Sequence, residues 1–319
     1  MGPLLRQRAM SGEPRHPLVL PVLATALLAF SASAILVRLA PSVPASSAAF
    51  WRCALVALLL APTLLRLRLG GLRLRGGGLR PRDGGLILLA GLFLALHFWT
   101  WFTSLKDTSV LRSTVLVCLS PAWAAIFEWI FLKERPSSRY WLGLALAVGG
   151  VAAAGLVQEE QGAGAGWGEA LALLAGALAA AYMVIGREVR PRLAIGPYGS
   201  LVSGASAGWL LILGGLLPVL QGSAPTPLTG WGAAEWLALV GMAAGPQLFG
   251  HIGLNFAVRY LPAGVVALVV LLEPAGAGLM AGFVLDEWPG SIDLFGAIFV
   301  LIGLFISTAP GARPQGRTT

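Results

Sequence analysis

Charge is what this sequence has least of. Of 319 residues only 22 are Lys or Arg and 14 are Asp or Glu, so 11% are charged against 57% hydrophobic; a soluble domain carries about a quarter charged residues. So little charge cannot cover a water-facing surface, and the chain reads as an integral membrane protein. Cysteine is also scarce. Cys53 and Cys118 both lie in apolar stretches, which excludes a disulfide scaffold and favours packing over redox chemistry. There is no Gly-x-x-x-x-Gly-Lys phosphate loop, no Cys/His cluster and no Gly-x-Ser-x-Gly elbow, so no ATP site, metal, cofactor or hydrolytic enzyme is expected.

What the chain has instead is apolar runs. About 20 residues at 1.5 Å each cross a 30 Å hydrocarbon core, where a continuous helix satisfies its own backbone. Ten runs of this kind stand near 17–39, 46–65, 84–104, 108–131, 139–157, 168–186, 198–219, 232–256, 261–285 and 291–308. The first ends near Ala32–Ser33–Ala34 like a signal-peptide cleavage site, but it is long for one, and its loss would leave nine spans.

The net charge of +8 does not point to nucleic acid, because no basic groove with interleaved aromatics is present. The arginines are bunched in alternate loops: Arg66 to Arg82, Lys133 to Arg139, Arg187 to Arg192, Arg259, and the tail with Arg313 and Arg317. The loops after spans five, seven and nine contain no Lys or Arg. This is the positive-inside pattern, and it predicts that both termini are cytoplasmic.

The sequence is also written twice. Leu119–Ser120–Pro121 and the following Leu132 to Pro136 return 153 positions later as Leu272–Glu273–Pro274 and Leu285 to Pro289, with Gly143 falling on Gly296 and Gly150 on Gly303. Self-similarity at a fixed offset signals a repeat. Five spans per copy is odd, so the second copy enters from the other side, and the copied loop, Asp286–Glu287–Trp288–Pro289, has lost its basic residues. The expectation is an all-α membrane protein of ten transmembrane helices in an inverted 5+5 repeat. It comprises a tail over 1–16, a first repeat over 17–157, a linker over 158–167, a second repeat over 168–308 and a tail over 309–319. Inverted repeats of this sort are typical of secondary transporters.

Several stretches resemble the EamA branch of the drug/metabolite transporter superfamily: Phe50–Trp51–Arg52, Ser104–Leu105, Thr108 to Val110, Ser113–Thr114, Pro121, Leu132 to Pro136 and Gly143, with their echoes at Leu272 to Pro274 and Glu287. The resemblance runs from about 17 to 308. It implies a ten-helix exporter of small metabolites or drugs in a bacterial inner membrane, with a central cavity between the halves. The family's solutes are chemically diverse. Arg112 and Glu128 stand where the second copy has Val265 and Ala281, so a symmetric site is not expected.

An ionisable group at mid-membrane costs about 2.5–3.5 kcal/mol on insertion scales, so its presence suggests a use. Glu273, directly before Pro274, could bind a cationic or amino group, carry a coupling proton, or be a structural carboxylate bonded to a neighbouring helix. His97, with Trp99 and Trp101 nearby, suits a cavity wall or proton relay; the alternative is a histidine bonded to a backbone carbonyl beside interfacial tryptophans. His251 follows the break at Gly245–Pro246 and is not the repeat partner of His97. For Arg52, cavity lining and a structural ion pair stand level. Arg112 reads as snorkelling, and Glu128 as pairing with Lys133 or Arg135. Glu134 and Glu287 read as loop structure. Pro121, Pro274 and Pro246 mark helix breaks at the midplane.

These residues predict a secondary active exporter working by alternating access, with a small-molecule solute, the lipid bilayer and potentially protons as partners, and a homodimer left open. The rivals are a solute exchanger or facilitator without proton coupling, an intramembrane transferase-type enzyme, and a non-transporting scaffold.

Overall fold

A computed structural model describes residues 18–68, 80–132, 138–156, 166–250 and 272–308. His251, Lys133, Arg135 and Glu134 lie outside them. All regular structure among the described residues is helical: α1 (Val19–Arg38), α2 (Ala45–Arg68), α3 (Pro81–Asp107), α4 (Val110–Val117), α5 (Ser120–Leu132), α6 (Ser138–Leu156), α7 (Trp167–Val189), α8 (Ile195–Leu211), α9 (Ala233–Met242), α10 (Glu273–Leu285) and α11 (Ser291–Thr308). Two helices run on into wider π turns, α8 through Ile212–Leu216 and α9 through Ala243–Gly250.

The helix limits follow local chemistry. Pro81 opens α3, where its missing N–H costs nothing, and Asp83 reaches back to accept from the Arg80 N–H at 2.7 Å. Ser109 caps α4 by accepting from the Arg112 N–H. Gly166, at φ +107°, makes a left-handed entry to α7 that a side chain would strain. Asp286 closes α10 at φ 55°, and the Glu287 N–H returns to the Ala281 carbonyl.

Six stretches are long and apolar enough to cross a membrane: Val19–Arg38, Ala45–Leu67, Pro81–Asp107, Val110–Ile130, Trp167–Val189 and Ile195–Leu220. Glu273–Leu285 and Ser291–Gly303 are shorter apolar helices. Their outer faces carry bare apolar side chains, with Leu58 67% and Phe283 79% exposed, which suits lipid rather than water. Interior polarity is mostly serine hydroxyls bonded to neighbouring groups, such as Ser206 to the Gly91 carbonyl at 2.9 Å and Ser104 with Ser113 at 2.6 Å. Small hydroxyl residues of this kind let membrane helices pack closely.

The packing repeats as the sequence does. α6 crosses α11, α2 crosses α8, and α3 lies along α7 as α1 lies along the π turn after α9. At the α6–α11 crossing a Cβ on Gly150 would meet the Gly296 carbonyl at 2.9 Å, and one on Gly303 would meet the Ala147 amide at 2.6 Å and crowd Gly143. The four glycines found by the 153-residue offset are thus two symmetry-related contacts.

Ion pairs gather at the two ends of the bundle. At one end Asp83 grips Arg192, Arg82 pairs with Glu188, and Arg187 with Glu128. At the other, Arg38 pairs with Glu287, and Arg112 with Asp293 at 2.5 Å and Glu169 at 3.9 Å. Two expectations change here. Arg112 does not simply snorkel but ties α4 to α11 and α7, and Glu287 is more than loop structure, because its other oxygen accepts the Val110 N–H at 3.0 Å. Glu128 pairs with Arg187 across the α5–α7 contact, a partner that local sequence does not suggest.

Candidate solute site

Ser120–Pro121 and Glu273–Pro274 start helices in the same way in the two halves. In the first half the helix stops at Val117, turns through Cys118 and Leu119, and restarts at Ser120 with Pro121 in its first turn. In the second half a helix starts at Glu273 after Leu272, with Pro274 in the first turn. Proline fits there because first-turn N–H groups have no partner within the helix. Glu273 therefore sits at a helix N-terminus, where the aligned peptide dipoles favour negative charge. Its carbonyl accepts from Ser31 Oγ at 3.2 Å. Its half-buried carboxylate makes no hydrogen bond or ion pair with another described residue, and it lies near enough to Arg52 for their charges to interact.

Arg52 is held inside the bundle. Trp51 fixes the start of α2 by donating Nε1–H to the Leu228 carbonyl at 2.7 Å, and the next residue turns inward, 5% exposed. The guanidinium lies over the ring of Phe98, 4.3 Å from its centroid, with Phe102 at 5.9 Å; such stacking suits a planar cation in an apolar place. Nη1 donates to Ser33 Oγ at 2.7 Å and Nη2 to Gln247 Oε1 at 3.3 Å, while Nε–H has no partner among the described residues. Both partners are neutral. Among the described residues, Arg52 forms no ion pair.

Gln247 reaches Arg52 because of Pro246. Proline gives no N–H to the helix ladder, and here it sits inside the π turn Ala243–Gly250, buried. The wide turn re-aims the residue that follows. Gln247 was missed by sequence reasoning, although a polar side chain in an apolar span directly after Gly245–Pro246 was the available signal. Ser33 gave no such signal.

Beside this cluster is a half-open cavity of about 480 Å³, within the usual range for small-molecule sites. It is lined by Gln247 and Leu248, by Tyr182, Met183, Arg187 and Arg190 of α7 and its end, by Leu94 of α3 and by Val202 and Ser203 of α8. Among the described residues lining it, none is acidic. The Tyr198 hydroxyl, also in the wall, is buried and has no hydrogen-bond partner among the described residues.

His97 and Trp99 do not line this cavity. His97 is buried, with Nδ1 2.9 Å from the Ala175 carbonyl of α7 and its ring stacked on Trp101 at 5.8 Å. Trp99 is half-buried against the core. Arg52, Glu273 and Pro246 are brought into one neighbourhood; Pro121 stays in the first turn of α5.

A family model described as the EamA-like transporter family matches residues 18–156 and again 166–309, one match for each half. The chain belongs to the EamA-like transporter family. It is thus a multi-pass membrane protein of a family that moves small solutes across the bilayer. It is 27% identical over 231 residues to the uncharacterized transporter YwfM of Bacillus subtilis, covering 70% of this chain and 74% of that one. It is also 27% identical over 223 residues to the uncharacterized transporter sll0355 of Synechocystis sp., covering 63% and 64%. A crystal structure at 18% identity superposes with a TM-score of 0.57, covering 92% of this chain and 96% of the other; that likeness concerns the fold.

Proposed function

We propose that this EamA-family protein is a secondary active exporter of small metabolites or drugs that works by alternating access in a bacterial inner membrane. It would have ten spans and both termini in the cytoplasm. One observation carries the reading: the cavity is lined by Arg187 and Arg190 at one end of the bundle, while at the other end Arg38–Glu287 and Arg112–Asp293 join the halves; we take the cavity to open at the Arg187–Arg190 end. If the arginine-rich loops are cytoplasmic, this is the inward-open form, ready to take a solute from inside. The glycine contacts of α6 and α11 form a compact hinge about which the halves rock.

Glu273 is the proposed coupling carboxylate, since it is an ionisable group at a midplane break near Arg52. The test compares spent-medium metabolites from cells carrying the unaltered protein with those carrying Glu273→Gln at equal membrane levels. Enrichment of a compound only with the unaltered protein supports coupled export. Enrichment by both keeps the exporter and makes Glu273 structural, as in an exchanger or facilitator. Chemical conversion of the solute would instead point to an enzyme.

A further inference from the structure

The protein contains its own standard for how an arginine holds a carboxylate. Arg192 grips Asp83 through one edge of its guanidinium, Nε to Oδ2 at 2.9 Å and Nη2 to Oδ1 at 2.6 Å. Two parallel charge-assisted bonds of this sort are the strong, directional form of the interaction. Arg52 offers the same edge in a different state. Its Nη1 is committed to Ser33, but Nε–H is buried without a partner among the described residues, and Nη2 has only the long 3.3 Å bond to the neutral Gln247 amide. A buried donor left unsatisfied is costly, and Arg52's hydrogen-bond partners are both neutral although the Glu273 carboxylate is near. Gln247 is at once the partner of that edge and part of the cavity wall.

We propose that Arg52 is the anchor for the solute's carboxylate. A small organic anion enters past Arg187 and Arg190, displaces the Gln247 amide oxygen and takes the Nε/Nη2 edge bidentately. The Gln247 carbonyl holds the place that a carboxylate oxygen fills. The apolar walls, Leu94, Met183, Val202 and Leu248, select an anion with an apolar body. The lack of any acidic side chain among the described lining residues, with Arg187 and Arg190 among them, favours negative charge within the cavity. The inference rests on the transporter reading and names the solute class of that site.

The test measures binding and transport separately on the full-length protein. Purified protein is titrated with acetate, benzoate, phenylacetate and indole-3-acetate, each beside its neutral primary amide, with thermal stabilisation as the readout; counterflow of the same acids is then followed in proteoliposomes. At least one apolar acid should bind while its amide does not, and Arg52→Gln should weaken that binding by about 30-fold or more. Gln247→Ala retains the arginine but removes the competing oxygen, and should tighten binding; it decides the matter should Arg52→Gln fail to fold. Acids and amides that behave alike, or Gln247→Ala that weakens binding, would overturn the assignment. Binding without counterflow would leave the anion site standing and contradict transport, whereas transport of amides or cations with no acid binding would do the reverse.

Discussion

Ser120–Pro121 and Glu273–Pro274 occupy the same place in the two halves, yet only one carries charge. Each opens a helix, each directly follows a leucine, and each has proline in the first turn. The helix start is therefore duplicated while its chemistry is not. Arg52 and Gln247 sharpen the contrast: 153 positions after Arg52 stands Ala205, and 153 before Gln247 stands Leu94. In the proposed mechanism symmetry supplies the moving parts, and departures from symmetry supply the candidate solute site.

The largest expected effect of breaking this contrast is at the two break residues themselves. Glu273→Gln should abolish the dependence of transport on a pH gradient while the protein still reaches the membrane. Ser120→Ala, at the equivalent position, should leave that dependence unchanged. Flux of the exported solute into acid-loaded and neutral vesicles measures both; equal loss from the two substitutions would show that the break, not the carboxylate, matters.

The two ends of the bundle give the next test. Glu287→Gln removes a charge from the Arg38 pair and weakens an oxygen that also accepts the Val110 N–H. It should loosen the closed end and raise maleimide labelling of Ser47→Cys, a residue 1% exposed and bonded there to the Pro227 carbonyl. At the other end, Arg82→Gln touches a pair whose side chains are 60% and 44% exposed. Labelling unchanged by Glu287→Gln would remove that pair from any gating role.

Smaller effects concern the hinge. Gly303→Leu overpacks the α6–α11 crossing and should destabilise the protein by about 1–3 kcal/mol, with Gly150→Leu similar by symmetry, read as a lower melting temperature in detergent. A difference between the two would show that the halves are not equivalent there. The smallest change should come from Arg82→Gln, about 0–1 kcal/mol as for exposed ion pairs in general.

Much of this was legible in sequence because it repeats. The proline breaks, the four glycines and the alternate basic loops recur at a fixed offset or with a fixed sign, so one chain checks itself. The site was less legible because its contacts are long-range and occur once. Glu273 and Arg52 stood out as charges in apolar spans, but Gln247 mattered only once the π turn at Pro246 aimed it at Arg52. Glu128 finds Arg187 on another helix, because α5 packs on α7; Lys133 and Arg135 lie outside the described residues. Asp83, a single acid in a run of arginines, is fully buried with Arg192; nothing local separates it from a surface charge. For His97 a hydrogen bond to the Ala175 carbonyl, weighed from the start against a cavity role, is present.

Alternating access is the central claim, and accessibility at the two ends tests it most directly. With Cys53 and Cys118 replaced by Ser, Met183→Cys, 39% exposed in the cavity wall, reports on the cavity and Ser47→Cys on the other end. Without solute, a maleimide supplied to both faces should label Met183→Cys readily and Ser47→Cys hardly at all. Adding the compound enriched in the spent medium should shift the two in opposite directions. Labelling that rises or falls together at both positions would contradict the account.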